Sequence, residues 1–146
     1  MEQKRMNDIL QGVLVNSTQL AFVEEAYGTL ALLENANDVF RYFINNITSV
    51  TLSNELDIFR KYLAVIKVSY GDRFSVRLAD EDGYSSVYIL RLSVISFFDS
   101  ILALYLEQGE VSVDFNISFE VNGNNNQMII AVQTGRVENC HKLDLE

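Results

Sequence analysis

The apolar residues of this chain change period at Gly71, and nothing else in the sequence constrains the fold as much. Before Gly71 they recur every three or four residues; after it they alternate with polar ones. Met6, Ile9, Leu10, Val13, Leu14 and Leu20 define a first helical stripe. A weak break follows between Glu25 and Gly28, and Leu30, Leu33, Val39, Phe40, Phe43, Ile44 and Ile47 make a second. Thr51 is placed to cap a third helix from Leu52 to about Lys67, with Leu56, Phe59, Tyr62, Leu63 and Ile66 on its apolar face. Asp57 and Lys61 lie four apart in the favourable acid-before-base order, so an ion pair between them is expected.

Beyond Gly71, Phe74, Val76 and Leu78 alternate with Arg73, Ser75 and Arg77, the pattern of a half-buried strand. The polar stretch Ala79 to Ser86 reads as a loop, and Val87 to Leu106 as a buried helix stopped by Gly109. Val111, Val113, Phe115, Ile117, Phe119 and Val121 then alternate strictly with polar residues. An Asn-rich turn from Asn122 to Asn126 leads into Met128 to Val132, the second arm of a predicted hairpin. From Gln133 the chain is polar and reads as an irregular end, to which Leu143 and Leu145 add at most a short edge strand. The expected fold is therefore α+β. Residues 1–50 form a helical hairpin, and residues 51–146 a linking helix with a small strand-helix-strand-strand unit in which one helix covers a sheet.

Composition removes several classes of function. The 146 residues are 49% hydrophobic, enough for a substantial core and too apolar for a disordered chain. A net charge of −9 argues against a phosphate backbone or an anionic membrane as partner, since either needs a basic face. Glu2, Asn7, Asp8 and Gln11 interrupt any signal-peptide core, and Arg91, Ser93, Ser96, Asp99 and Ser100 interrupt the longest apolar run. Cys140 is the only cysteine, so no intrachain disulfide forms; a cytoplasmic location is expected. On that expectation the Asn-X-Ser/Thr triplets at Asn16, Asn46 and Asn116 carry no glycan. His141, the only histidine, falls in the polar tail and reads as a solvated side chain. With Cys140 alone beside it, it falls short of a metal's ligand set.

Four short motifs stand in a telling order: Phe40-Arg41-Tyr42, Thr51-Leu52-Ser53-Asn54-Glu55-Leu56, Tyr62-Leu63 and Ser69-Tyr70-Gly71-Asp72-Arg73-Phe74. Their order and spacing resemble the LytS-like (YehU/YpdA-type) bacterial sensor histidine kinases, at the junction of the helical and GHKL-type ATP-binding parts. The resemblance runs from the first helix to about Gly135. It implies a truncated GHKL-like α/β unit after the dimerisation helices, and it says where catalytic residues should stand.

Those positions hold other residues. The phosphoaccepting histidine of the family would fall on Asp8, within Asn7-Asp8-Ile9, and aspartate does not serve that mechanism. The helix bearing the family's catalytic glutamate and Mg²⁺-binding asparagine corresponds to Ile95 to Leu104. Asp99 falls on the glutamate and Ser100 on the asparagine. Metal-assisted charge neutralisation dominates phosphoryl transfer, and serine is a weak substitute for a placed amide oxygen. The family's Asp-x-Gly-x-Gly box, which reads adenine, corresponds to Gln133-Thr134-Gly135-Arg136-Val137, leaving Gln133 and Gly135 as vestiges. No Gly-x-x-x-x-Gly-Lys-Ser/Thr loop replaces it.

The expectation is thus a catalytically inactive, histidine-kinase-like scaffold without cofactor. It would work as a homodimer or by docking to a response regulator or a true kinase. In the family the first two helices build a four-helix dimer core, which assigns the interface here to Met6, Leu10, Val13, Leu20, Leu33, Phe40, Phe43 and Ile47. Two alternatives stand beside it. One is a divergent active kinase or phosphotransferase using Mg-ATP; the other is an unrelated α+β binding module.

Overall fold

The computed structural model describes residues 2–24, 27–79, 83–109, 112–122 and 125–145. The chain is of the α+β class, with helices first and a sheet after them. It divides into two compact units. One comprises residues 1–46 and 56–71, the other residues 47–55 and 72–146. This division differs from a cut at residue 50, because most of the third helix clusters with the first two.

The first unit holds α1 (Glu2–Glu24), α2 (Tyr27–Ile44) and most of α3 (Leu52–Tyr70). Each buries one stripe at helical spacing: Met6, Leu10 and Val13; Ala36, Val39 and Phe43; Phe59, Tyr62 and Ile66. The rings of Phe43 and Tyr62 lie 6.0 Å apart. The cap of α3 is the expected one, with the Asn54 amide donating to Thr51 Oγ1 at 3.1 Å. The helix runs three residues beyond Lys67 and stops at Gly71, whose φ of +57° is the left-handed position that commonly ends a helix. The expected Asp57–Lys61 pair is not formed. Asp57 bonds Arg60 at 3.2 Å, and Lys61 turns to Asp38 on α2 instead.

The second unit begins with a two-stranded antiparallel ribbon of β1 (Ser49–Thr51) and β3 (Tyr88–Leu90). Its main sheet has the order β2-β4-β5-β6, from β2 (Phe74–Leu78), β4 (Val113–Val121), β5 (Asn126–Thr134) and β6 (Val137–Leu145). β2 and β4 are parallel, joined through α4 (Ser93–Glu107), and β4, β5 and β6 form an antiparallel meander. One face of the sheet is apolar and lies under α4. Phe98 meets Phe74 at 6.4 Å and Phe115 at 5.3 Å between centroids, and Tyr105 meets Phe115 at 6.3 Å. The other face carries Ser75, Arg77, Asp114, Asn116 and Gln133.

Two expectations are corrected here. The apolar run from Val87 is not one helix: Tyr88–Leu90 is a strand, and α4 starts only at Ser93. Ile89 is buried between exposed Tyr88 and Leu90, a period of two hidden inside a long apolar stretch. The end of the chain is not irregular either. Gly135 and Arg136 form a two-residue loop between the paired residues Thr134 and Val137, and β6 then pairs with β5 along its whole length. Gly135 has φ +58°, which fits the first position of a type II′ turn, where glycine is favoured.

Candidate functional site

The kinase resemblance singles out one position in the first unit, Asp8, and four in the second, Asp99, Ser100, Gln133 and Gly135; those four do not converge. Asp8 is exposed on α1. Asp99 is buried within α4, at 1% exposure. Ser100 donates its hydroxyl to the Phe97 carbonyl of its own helix at 2.7 Å. Gln133 pairs with Asp114 on the polar face of the sheet, opposite the face that α4 covers, and Gly135 shapes the β5–β6 turn. The sheet therefore separates Gln133 from the α4 residues. Of the expected dimer stripe, Met6, Leu10, Val13 and Phe43 are already buried in the chain, and Leu33 and Phe40 are half-buried. Ile47 lies beyond the end of α2 and is exposed; the side chain of Leu20 lies outside the described residues.

The most constrained polar arrangement is one that the sequence did not announce. Glu55, in the first turn of α3, is fully buried. Its two carboxyl oxygens accept the backbone N–H groups of Leu92 at 2.5 Å and Val94 at 2.7 Å. These amides open α4, and the first turn of a helix has no partners of its own for them. A carboxylate there is favoured by hydrogen bonding and by the helix dipole together. Leu92 itself has φ +73°, a left-handed conformation that costs a non-glycine residue about 1–2 kcal/mol. Glu55 is thus both the anion of this helix terminus and the clasp on a strained turn. The ribbon supports the same corner: Arg91 donates Nε to the Ile47 carbonyl at 2.6 Å, and its amide donates to the Thr48 carbonyl at 2.9 Å.

Among the described residues, two surface grooves offer places to receive a partner. In the first unit, Asp38, Arg41, Tyr42 and Asn45 of the α2 end face Ile58 and Lys61 of α3 around an open groove of about 320 Å³. Lys61 Nζ lies 2.7 Å from Asp38 Oδ2. That hydrogen bond first, then the Lys61 charge, holds the Asp38 carboxyl below its ordinary value; partial burial opposes the shift and Arg41 adds to it. Two cations against one carboxylate leave the groove locally positive in an acidic chain. In the second unit, a smaller and more enclosed groove of about 220 Å³ runs over Ser75, Arg77, Asp114, Asn116 and Gln133. Ser75 donates its hydroxyl to Asp114 there, so part of its polar capacity is spent internally.

His141 is also not where the sequence put it. It sits within β6, opposite Ile130, and its Nε2 lies 2.9 Å from the Tyr105 hydroxyl of α4. The two rings meet edge to face at 5.8 Å. Cys140, its neighbour, is exposed. Among the described residues no cluster of His, Cys, Asp and Glu has the makings of a metal site. No described helix is long and apolar enough to cross a membrane.

Fold and site together define an α+β protein in which the amides at the start of α4 are occupied by the chain's own Glu55. Comparison with protein-family models finds no match, and comparison with curated proteins finds none.

Proposed function

We propose that this chain is a non-catalytic, histidine-kinase-like signalling scaffold that acts by self-association or by docking to a partner such as a response regulator or a true kinase. One observation carries the reading. The helix on which Mg²⁺ and nucleotide contacts would depend is packed down as core: Phe98 packs against Phe74 and edge-on against Phe115, Asp99 is buried beside it, and Glu55 occupies the amides at the helix start. A phosphate group needs such amides open. A docking role suits the α2–α3 groove, where Arg41 and Lys61 face solvent beside one carboxylate and would receive an acidic surface. No cofactor enters this scheme, and a cytoplasmic location goes with it.

The test is thermal unfolding with and without Mg-ATP. A ligand at about a hundred times its dissociation constant stabilises by about 2.7 kcal/mol, which is easily seen as a rise in Tm. No shift is expected. A Mg²⁺-dependent rise, or transfer of label from γ-labelled ATP to the protein, would overturn the non-catalytic reading in favour of a divergent kinase.

A further inference from the structure

β6 is an outer strand of the four-stranded sheet, and the geometry of its free edge is specific. It pairs with β5 without a bulge, from Asn126 opposite Leu145 to Thr134 opposite Val137. A two-residue hairpin loop closes on a hydrogen-bonded pair, so Val137, Asn139, His141, Leu143 and Leu145 turn their N–H and C=O groups toward β5. Glu138, Cys140, Lys142 and Asp144 turn theirs outward. All four are exposed, and the chain has no proline to remove a donor. Strand edges of this kind invite another strand, and proteins usually protect them with charge, bulges or covering loops. Here the strand has no bulge, its outward residues are exposed, and its charges alternate in sign.

We propose that β6 pairs antiparallel with β6 of a second copy of this chain, with the two-fold axis at Cys140, joining two four-stranded sheets into one continuous sheet. The charges select both the occupant and the register. With Cys140 opposite its own copy, Glu138 faces Lys142 of the partner subunit, and by symmetry the pair occurs twice. Arg136, in the turn, faces Asp144 of the partner subunit, although Asp144 also accepts a hydrogen bond from Gln127. On the other face Val137, 57% exposed, meets Leu143 of the partner subunit, and Asn139 meets His141 of the partner subunit.

Registers displaced by one pleat lose this match. Centring the axis on His141 sets Glu138 against the partner's Asp144. Centring it on Asn139 sets Arg136 against the partner's Lys142, and centring it on Lys142 sets that lysine against itself. Directly opposed like charges destabilise a strand pair, whereas opposite charges support it. An alternating row of charges that would repel in most alignments is therefore complementary in one. The inference does not depend on the kinase resemblance, and it uses a surface distinct from the helical stripes.

The experiment is sedimentation velocity on the full chain across micromolar concentrations, with Lys142→Glu and the exchanged pair Glu138→Lys/Lys142→Glu. Wild type should dimerise. Lys142→Glu, which turns both opposed pairs repulsive, should weaken the dimer by about tenfold or more, and the exchanged pair should restore it. Amide exchange at Glu138, Cys140, Lys142 and Asp144 should slow as concentration rises, and a short bis-maleimide should link the two Cys140 thiols in wild type. All changed side chains are exposed, and circular dichroism checks that each variant folds. A protein that stays monomeric overturns the proposal. So does a dimer indifferent to these charges, or one whose β6 amides gain no protection; the latter two would place self-association on another face and leave the scaffold reading standing.

Discussion

Glu55 shows how much one side chain can organise. It lies in the first turn of α3 yet supplies the missing partners of α4, 37 and 39 residues further along the chain. Hydrogen bonds to a charged group contribute about 1.5–3 kcal/mol each, and a buried N–H left unpaired costs about as much. Glu55→Ala should therefore lose about 3–5 kcal/mol in urea unfolding, and Glu55→Gln roughly half of that, since one carbonyl oxygen is retained. Equal small losses in both variants would show that the two amides find other partners. Asp38 is the milder case. Its carboxyl is held low by Lys61, so the folded state binds its proton less readily than the unfolded chain. The pair's contribution is present above the ordinary aspartate range and fades as pH falls through the lower folded value, that is, below about pH 4. Asp38→Asn should flatten that part of the Tm-against-pH curve, and salt should diminish the difference because the pair is half-exposed. A curve of unchanged slope would remove the pair from the acid response.

Among the elements, those with a strong single period could be read directly: α2, α3, β2 and the β4–β5 hairpin stand within a few residues of where periodicity puts them. β3 escaped because three strand residues at the head of a long apolar run look like the first turn of a helix. β6 escaped for a different reason. It is an edge strand over a half-covered face, so most of its residues are exposed and little apolar alternation survives to mark it. The site was less legible than the fold. Glu55 is recognisable in sequence as an early helical acid, but its partners are backbone amides far along the chain, which no spacing rule can supply. Gly135, read from the resemblance as a vestige of nucleotide contact, has a turn geometry that accounts for it without any ligand. Gly135→Ala should then cost about 1 kcal/mol in stability, the left-handed penalty, with amide exchange speeding up at the β5–β6 turn. A substitution without effect would mean that the turn relaxes to another type.

For the whole molecule, the two units share α3: its first turn belongs to one and the rest to the other. The second unit also has an uneven balance of near and distant contacts. The β4–β5 and β5–β6 pairings join neighbours in sequence, whereas β2 must find β4 across α4, with Phe74 opposite Val113. Closing a short loop costs less entropy than closing a long one, so the meander is the natural starting point. In pulse-labelled refolding, the amides of β4–β6 should gain protection before those of β2, and the reverse order would refute this. The consequence is one of time. A ribosome makes α4 before β4, β5 and β6, so Phe98 leaves the exit tunnel without Phe115, and Tyr105 without Phe115 and His141. The apolar helix that seals the finished unit is, for the seconds of synthesis that precede β6, the stretch most in need of a chaperone.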